Sequence, residues 1–469
     1  MSKWSFNTLI VFVALFTSVL TYGIVLSLGA STAIAATLGI TLFTAILWVS
    51  EAIPIPATSL IPFFAFPMAG VLTHKEAASS LGSHVILLLM GAFMLSKAIE
   101  KSEVHQRFAL YMLRLTGGGS ARRIIFAFML TAALLSMWIS NTATTLMLLP
   151  IALAVSQSLQ NKSVSVAILL GIAYAASVGG VGTPIGTPPN IILMSVYQEH
   201  TGNEINFIDW MMIGIPIVLI AIPLMALWLS RGLGDIKSFN LPSIGQWKTP
   251  EIRVLSVFGV VALAWVTRPI WSEALGLTSV GDSTIALAGV VAMFLVPSGK
   301  DSHKPVAERD PKERLLDWQT ANDIPWGMLL LFAGGICIAK AFSASGLSQQ
   351  IGDMLSGMSD FPVFLLILSL CLFVTFLTEI TSNTATATLL MPILAVTGSA
   401  IGVDPALLMM PAAISASCAF MLPVATAPNA IVYGANLFTI KDMAKQGIML
   451  NIIVAFVVAG VVYFALGTA

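Results

Sequence analysis

Apolar residues run through this chain in long blocks, separated by turn residues or short charged stretches. A helix needs about 20 such residues to cross a bilayer. Blocks of that order lie near 8–28, 32–50, 54–72, 84–113, 207–230, 253–271, 281–297, 325–345 and 446–467. Two more, near 164–200 and 405–437, are interrupted by Gly, Pro and Thr. Another two, near 123–156 and 362–397, are too long for one straight span. They carry polar residues at mid-length, in "LLSMWISNTATTLMLLP" (Leu134 to Pro150) and "FLTEITSNTATATLLMP" (Phe376 to Pro392). That pattern predicts re-entrant hairpins, which enter and leave the membrane on one side. The first block, preceded by Lys3, is read as a transmembrane helix rather than a cleaved signal peptide.

Composition narrows the class. Of 469 residues, 57% are hydrophobic and 9% are charged, against about a quarter charged in a soluble domain. The chain is therefore read as an all-α polytopic membrane protein. Its net charge of zero favours no nucleic-acid partner. Cys337, Cys371 and Cys418 lie in apolar stretches without CxxC spacing and are read as small buried hydrophobes. The five histidines show no metal-ligand spacing. Without GxSxG, a metal cluster or suitably spaced acid pairs, an intramembrane enzyme is disfavoured.

Charge orients the spans. With the N-terminus inside and both hairpins re-entrant, Lys75 and Arg268 fall outside, and Lys97, Lys101, Arg107 and Lys340 fall within or beside helices. Every other one of the 22 Lys and Arg falls inside, as the positive-inside rule requires. A full crossing by either hairpin would reverse every later loop. The longest polar stretch, 298–323, becomes a cytoplasmic loop, and the C-terminus lies outside.

The chain also repeats itself. "WVSEAIP" at Trp48 is echoed by "WVTRPI" at Trp265, and "GAFMLSKAI" at Gly91 by "GGICIAKAF" at Gly334. "SNTAT" at Ser140 returns at Ser382, and "TPPN" at Thr187 returns as "TAPN" at Thr426. Lys97 to Asn141 is 44 residues and Lys340 to Asn383 is 43; Asn141 to Asn190 is 49 and Asn383 to Asn429 is 46. The first unit starts with a helix running outside to inside, the second with one running inside to outside. An inverted repeat broken at matched positions is the signature of a secondary transporter with its site near the midplane, which a channel does not need.

The repeated residues suit a charged solute. A hairpin tip leaves backbone carbonyls and N–H groups without helical partners, at a cost in hydrocarbon unless something meets them. Free carbonyls can hold a small cation; free N–H groups at a helix N-terminus can hold a carboxylate. Asn serves both, with an acceptor oxygen and a donor amide. Two inverted copies predict two cation sites flanking one anion site. "SVGGVGTPIGTPPN" (Ser177 to Asn190) and "SASCAFMLPVATAPN" (Ser415 to Asn429) mark the broken spans. Glu379, an acid with Met137 at its counterpart, is a candidate for a structural or cation role. Lys97 and Lys340 are symmetry mates near helix ends.

The doubled SNT motif, the "GTPPN" break and the "EAIPIP" turn resemble the divalent anion:sodium symporters, often called INDY-type transporters, over essentially the whole chain. The resemblance implies a homodimer of about 11 transmembrane helices plus two re-entrant hairpins and two broken helices, working by an elevator motion. Its scaffold would be 1–114 and 236–347, and its transport segments 115–235 and 348–469. It implies Na+-coupled import of C4-dicarboxylates such as succinate, malate and fumarate, or of citrate, across the inner membrane. The first sodium site would use Ser136, Ser140, Asn141 and the backbone at Gly186. The second would use Thr378, Thr381, Asn383 and the backbone at Ala425. The substrate would meet Asn141, Thr142, Ser382, Asn383 and Thr384, with Thr426 and Ala427 beside it. Some relatives have Pro at the position of Ala427, which bears on pocket size. Polar residues at Ser136 and Thr378 favour sodium coupling over a sodium-independent dicarboxylate or citrate/succinate exchanger; a sulfate or other oxyanion transporter is the remaining alternative.

Overall fold

The computed structural model describes residues 3–116, 120–159, 161–234, 245–299, 313–355 and 362–467. Among these the regular structure is helical, apart from one isolated bridge between Pro297 and Arg314. The charged residues 300–312 of the expected cytoplasmic loop lie outside the described residues.

The first half opens with α1 (Lys3–Ser27) packed on α2 (Thr32–Ser50). Then come α3 (Ile55–Thr58), α4 (Ile61–Met68), α5 (His74–Leu81), α6 (His84–Ser102) and α7 (Val104–Thr116). Next are α8 (Ala121–Ser136), α9 (Asn141–Leu159), α10 (Lys162–Gly179), a 3-10 turn at Gly180–Gly182, α11 (Pro188–Thr201) and α12 (Phe207–Leu229). The second half runs α13 (Thr249–Val266), α14 (Arg268–Ala274), α15 (Asp282–Leu295), α16 (Trp318–Asn322), α17 (Trp326–Ser345) and α18 (Leu347–Leu355). It ends with α19 (Val363–Leu377), α20 (Asn383–Ala400), α21 (Ala406–Ala416), α22 (Ala427–Tyr433) and α23 (Ile440–Leu466).

Three of the expected spans are subdivided. The block 84–113 breaks at Glu103, whose φ of 60° is left-handed and ends α6. Beyond it α7 carries charge on one side, and buried Arg107 there reaches Glu251 at the start of α13, with N–O distances of 3.0 and 3.1 Å. A buried two-pronged pair of this kind holds geometry, because removing one partner strands the other charge. The block 54–72 becomes α3 and α4, since Pro54, Pro56 and Pro62 lack the N–H that a continuous helix needs. The block 253–271 divides at Thr267 into α13 and α14. Among the described residues nine helices are long and apolar enough to cross a membrane, and shorter apolar helices cover 55–68, 282–295, 363–377 and 406–416. The chain is thus a multi-pass membrane protein.

Packing places the two broken segments across each other. The first arm α10 is buried along almost its whole length, against α8, α9 and α12. Its continuation α11 leaves that group and packs on α17, α20 and α21 of the second half. Reciprocally, α22 packs on α9 and α10 of the first half. Where the two breaks pass, Thr187 Oγ1 and Ser417 Oγ lie 3.2 Å apart. The irregular backbone therefore sits in the protein interior, where polar partners are available.

Candidate functional site

Each SNT tripeptide is a helix start. Ser140 precedes α9 and its Oγ accepts from the Ala143 N–H at 3.2 Å. Ser382 precedes α20 and accepts from the Ala385 N–H at 3.5 Å. Serine is a favoured N-cap because its hydroxyl meets one of the orphan amides of the first turn. The Asn and Thr that follow occupy the first two helical positions, whose N–H groups have no intrahelical acceptor. Thr426 caps α22 in the same way, its Oγ1 accepting from the Asn429 N–H at 3.2 Å, whereas Thr187 stands ahead of α11 without a side-chain capping bond. The Pro residues at the starts of α11 and α22 cost nothing there, since no partner awaits an N–H at those positions.

All four helix starts face one cavity of about 670 Å³. Its wall includes Ser140, Asn141 and Thr142 from the first tip and Ser382, Asn383 and Thr384 from the second. Gly186, Ala425, Thr426 and Ala427 come from the breaks. Every substrate-contact residue named from sequence lines this space. Of the expected cation ligands, Ser136, Thr378 and Thr381 do not line it and lie behind the tips. Four positive helix ends aimed at one space make it favourable for an anion.

Behind the first tip, oxygens converge. Asn141 Oδ1 lies 2.6 Å from Ser136 Oγ. The same atom is 3.2 Å from the Ala176 carbonyl oxygen and 3.3 Å from the Gly186 carbonyl oxygen. Rotating the amide would let its nitrogen donate to all three; a bound cation would satisfy the oxygen arrangement as it stands. Glycine makes the approach possible. A Cβ at Gly180 would sit 2.8 Å from Asn141 Oδ1, and one at Gly186 would collide with the Gly180 carbonyl. The Ala176 carbonyl was not among the expected ligands, since an alanine in an apolar run gives no signal of its own.

The second tip is arranged differently. Asn383 Oδ1 is turned onto its own helix start and accepts from the Thr384 N–H at 2.9 Å. Thr378 Oγ1 donates to the Ala416 carbonyl at 3.0 Å. Thr381 Oγ1 donates to the Leu377 carbonyl at 2.9 Å and is 2.7 Å from Thr386 Oγ1. Among the described hydrogen bonds none joins Asn383 to Thr378 or Ala425. Thr386 enters this cluster without having been marked by sequence.

Glu379 occupies the place that Met137 has in the first half. Its buried carboxylate accepts from the consecutive N–H groups of Phe420 (2.7 Å), Met421 (2.9 Å) and Leu422 (3.1 Å) and from Asn451 Nδ2 (2.8 Å). It therefore braces the second break from below. Both breaks share one further device. Asn190 Nδ2 donates to the carbonyls of Gly180 (3.1 Å) and Thr183 (2.8 Å), and Asn429 Nδ2 to those of Ala419 and Leu422 (both 3.0 Å). Each amide meets the carbonyls ten and seven residues before it. The "PPN" and "APN" echoes were legible; the carbonyls they serve were not.

Opposite the tips, α6 and the loop before α17 bring charge. Lys97 Nζ is 2.9 Å from Glu100 Oε2 and 3.6 Å from Asp323 Oδ2, and all three line the cavity. Nearby, Lys101 Nζ is 2.7 Å from Asp317 Oδ2, and with the Thr320 N–H it holds that exposed carboxyl down at about 2. Lys340 points elsewhere: it donates to Ser79 Oγ at 2.8 Å and lies 3.8 Å from Glu199 on α11.

The chain is similar to known proteins over most of its length. Residues 45–408 match the family model described as citrate transporter (CitMHS). The "Sodium-dependent dicarboxylate transporter SdcS" of Staphylococcus saprophyticus is 41% identical over 91% of this chain and 85% of its own. That of Staphylococcus aureus is 39% identical over 92% and 85%. The crystal structure of the Alcanivorax borkumensis YdaH transporter, described as revealing an unusual topology, superimposes with a TM-score of 0.57 at 13% identity, over 83% of this chain and 87% of that one. It is a likeness of fold alone. Match length and identity together place the chain in the citrate-transporter family, the divalent anion:sodium symporters that its paired SNT motifs resemble.

Proposed function

We propose that this protein is a sodium-coupled symporter that imports C4-dicarboxylates such as succinate, malate and fumarate into the cell. One observation carries the reading: the oxygens gathered around Asn141 stand directly behind a cavity ringed by four helix starts. A dianion in that cavity has no arginine among the described lining residues to meet it, and the one lysine there, Lys97, is paired with Glu100 and Asp323. Its countercharge comes from helix ends, from amides, and from cations seated behind the tips. Asn141 belongs to both sets, so cation and anion each raise the other's affinity, which is the reciprocity that coupling requires. Sodium suits neutral hydroxyl and carbonyl oxygens.

The first cation would be held by Ser136, Ser140, Asn141 and the backbone of Gly186, with the Ala176 carbonyl added. The second would be held by Thr378, Thr381, Asn383 and the backbone of Ala425. Asn383 must leave the Thr384 N–H to join it, so the first cation site is formed in advance and the second forms as it fills. The substrate carboxylates would meet Asn141 and Thr142 on one side and Ser382, Asn383 and Thr384 on the other, with Thr426 and Ala427 beside them. Residues 115–235 and 348–469 form the moving body of an elevator, and 1–114 and 236–347 the fixed one, as an inverted repeat in a homodimer. The N-terminus is cytoplasmic and the C-terminus outside, in the inner membrane. The relatives named as sodium-dependent dicarboxylate transporters support this assignment.

Uptake of labelled succinate into proteoliposomes tests it. Replacing sodium by choline should reduce uptake to background. Uptake that persists in choline would instead establish the exchanger. Citrate is the second substrate to examine, because the matching family model is that of a citrate transporter and the cavity exceeds the size of a C4 acid. A competition panel of C4 acids, citrate and sulfate ranks them.

A further inference from the structure

Away from the substrate cavity, the start of α10, the end of α12 and the first turns of α23 enclose a second pocket of about 430 Å³. Its polar wall is Lys162, Ser163, Arg231, Asp442 and Gln446. Arg231 is held unusually for a cation. Its Cζ lies 3.4 Å from the centre of the Trp228 ring, and its Nη1 donates to the Trp228 carbonyl (2.7 Å) and to Gln446 Oε1 (3.1 Å). A carbonyl, an amide and a π-face fix the guanidinium, and among the described residues no carboxylate pairs with it. The one carboxylate among the described residues of the pocket wall, Asp442, is already engaged by the Thr439 N–H (2.9 Å) and hydroxyl (2.8 Å) as a helix cap.

Arg231 and Trp228 also head an apolar groove of about 650 Å³ between α12 and α23, walled by Leu224, Leu227, Ile453 and Phe456. Leu227 and Phe456 stand about half exposed along it. From Gln446 in the pocket to Phe456 in the groove the composite site follows α23 for about 15 Å at 1.5 Å per residue, which is about the depth of one leaflet of a ~30 Å hydrocarbon core. Trp228 Nε1 is buried with no hydrogen-bond partner, a spare donor at the head of the groove.

We infer that this composite site binds an anionic phospholipid, with its phosphate between Arg231 and Lys162 and one acyl chain along the α12–α23 groove. A basic pocket at helix ends joined to an apolar channel is what recognises such lipids. The inference rests on the membrane topology given under the proposed function, which puts Lys162, Arg231, Lys441 and Lys445 together on the cytoplasmic side. It does not depend on the transported solute.

Native mass spectrometry of the full-length protein, delipidated and titrated with phosphatidylglycerol or phosphatidylcholine of matched chains, tests it. Phosphatidylglycerol should be retained at least tenfold better. Arg231→Gln together with Lys162→Gln should reduce that preference to less than twofold. Lys162→Gln alone, on an exposed first turn, should lower it severalfold and serves if the double variant fails to fold. Arg231→Lys should keep part of it. Equal retention of the two lipids by the native protein, or an unchanged preference in the variants, would overturn the site. Displacement of bound phosphatidylglycerol by millimolar inorganic phosphate would also overturn it, by reducing the pocket to a simple anion site. These lipid measurements stand apart from succinate uptake, so failure of either proposal leaves the other testable.

Discussion

The two hairpin tips share a tripeptide and a capping pattern, yet the breaks behind them are built by different means. The first break is made of glycine. Gly179, Gly180 and Gly186 bring backbone against backbone, and Gly182 lies against the Met137 side chain, so closely that a Cβ at any of them would meet a neighbour at under 3 Å. Strands of irregular chain then satisfy one another, and carbonyls gather at Asn141. The second break carries side chains at the matching places, Cys418, Ala419, Met421 and Ala425. It cannot close as tightly. Three of its N–H groups turn instead to the Glu379 carboxylate. Two solutions to one problem, orphaned backbone deep in an apolar protein, give one preassembled oxygen cluster and one that is still open. Close approach of carbonyls gathers oxygens around Asn141 directly; a carboxylate brace meets the backbone N–H groups instead and gathers no oxygens around Asn383.

The largest effects should come from the asparagines themselves. Asn141→Ala and Asn383→Ala should each leave expression intact and lower succinate uptake roughly 100-fold or more, since each removes contacts to ion and solute at about 1–3 kcal/mol apiece. The two should differ before substrate is added. Sodium alone should raise the melting temperature of Asn383→Ala protein, and should not raise that of Asn141→Ala. Identical sodium responses would erase the distinction between a ready and an unready site.

Next come the breaks. Gly186→Ala should weaken apparent sodium affinity about tenfold in uptake assays, because its Cβ collides with the Gly180 carbonyl and pushes the Gly186 carbonyl out of the cluster. Ala425→Gly, at the matching place, should change it by less than about twofold. Glu379→Gln should raise the half-saturating sodium concentration severalfold, since one amide oxygen replaces two carboxylate oxygens before four donors and adds donors of its own. Met137→Leu should not. The smallest effect is expected of Ala427→Pro. Its position begins α22 and mirrors Pro188 at the start of α11, so proline fits without strain. Folding should be unchanged and only the ratio of succinate to citrate uptake should move, by about two- to fivefold.

How much of this was legible in the chain follows from the physics of each feature. Spans 8–28, 32–50, 207–230 and 446–467 could be read because sustained apolarity is a property of the segment alone. Both SNT helix starts and both breaks could be read because Gly, Pro and N-capping residues act on their own backbone. The division of 84–113 could not: Glu103 adopts a left-handed conformation that no local preference demands, and Arg107 finds a partner 144 residues away. Glu379 stood out as an intramembrane acid, but nothing along the chain named its four donors. Asn190 and Asn429 stood out as an echo, without their carbonyls.

The order of residues by itself determined where backbone groups would lack helical partners, and that this would happen twice at matching positions. Helix propensity, proline geometry and serine capping are all settled within a few residues. Tertiary packing decided which orphan groups meet. The crossing of α11 and α22 into opposite halves brings four helix starts to one cavity, and glycine contacts bring the Ala176 and Gly186 carbonyls to Asn141. Those distances depend on how whole helices seat against each other, and a local pattern carries no information about the partner's side of a contact.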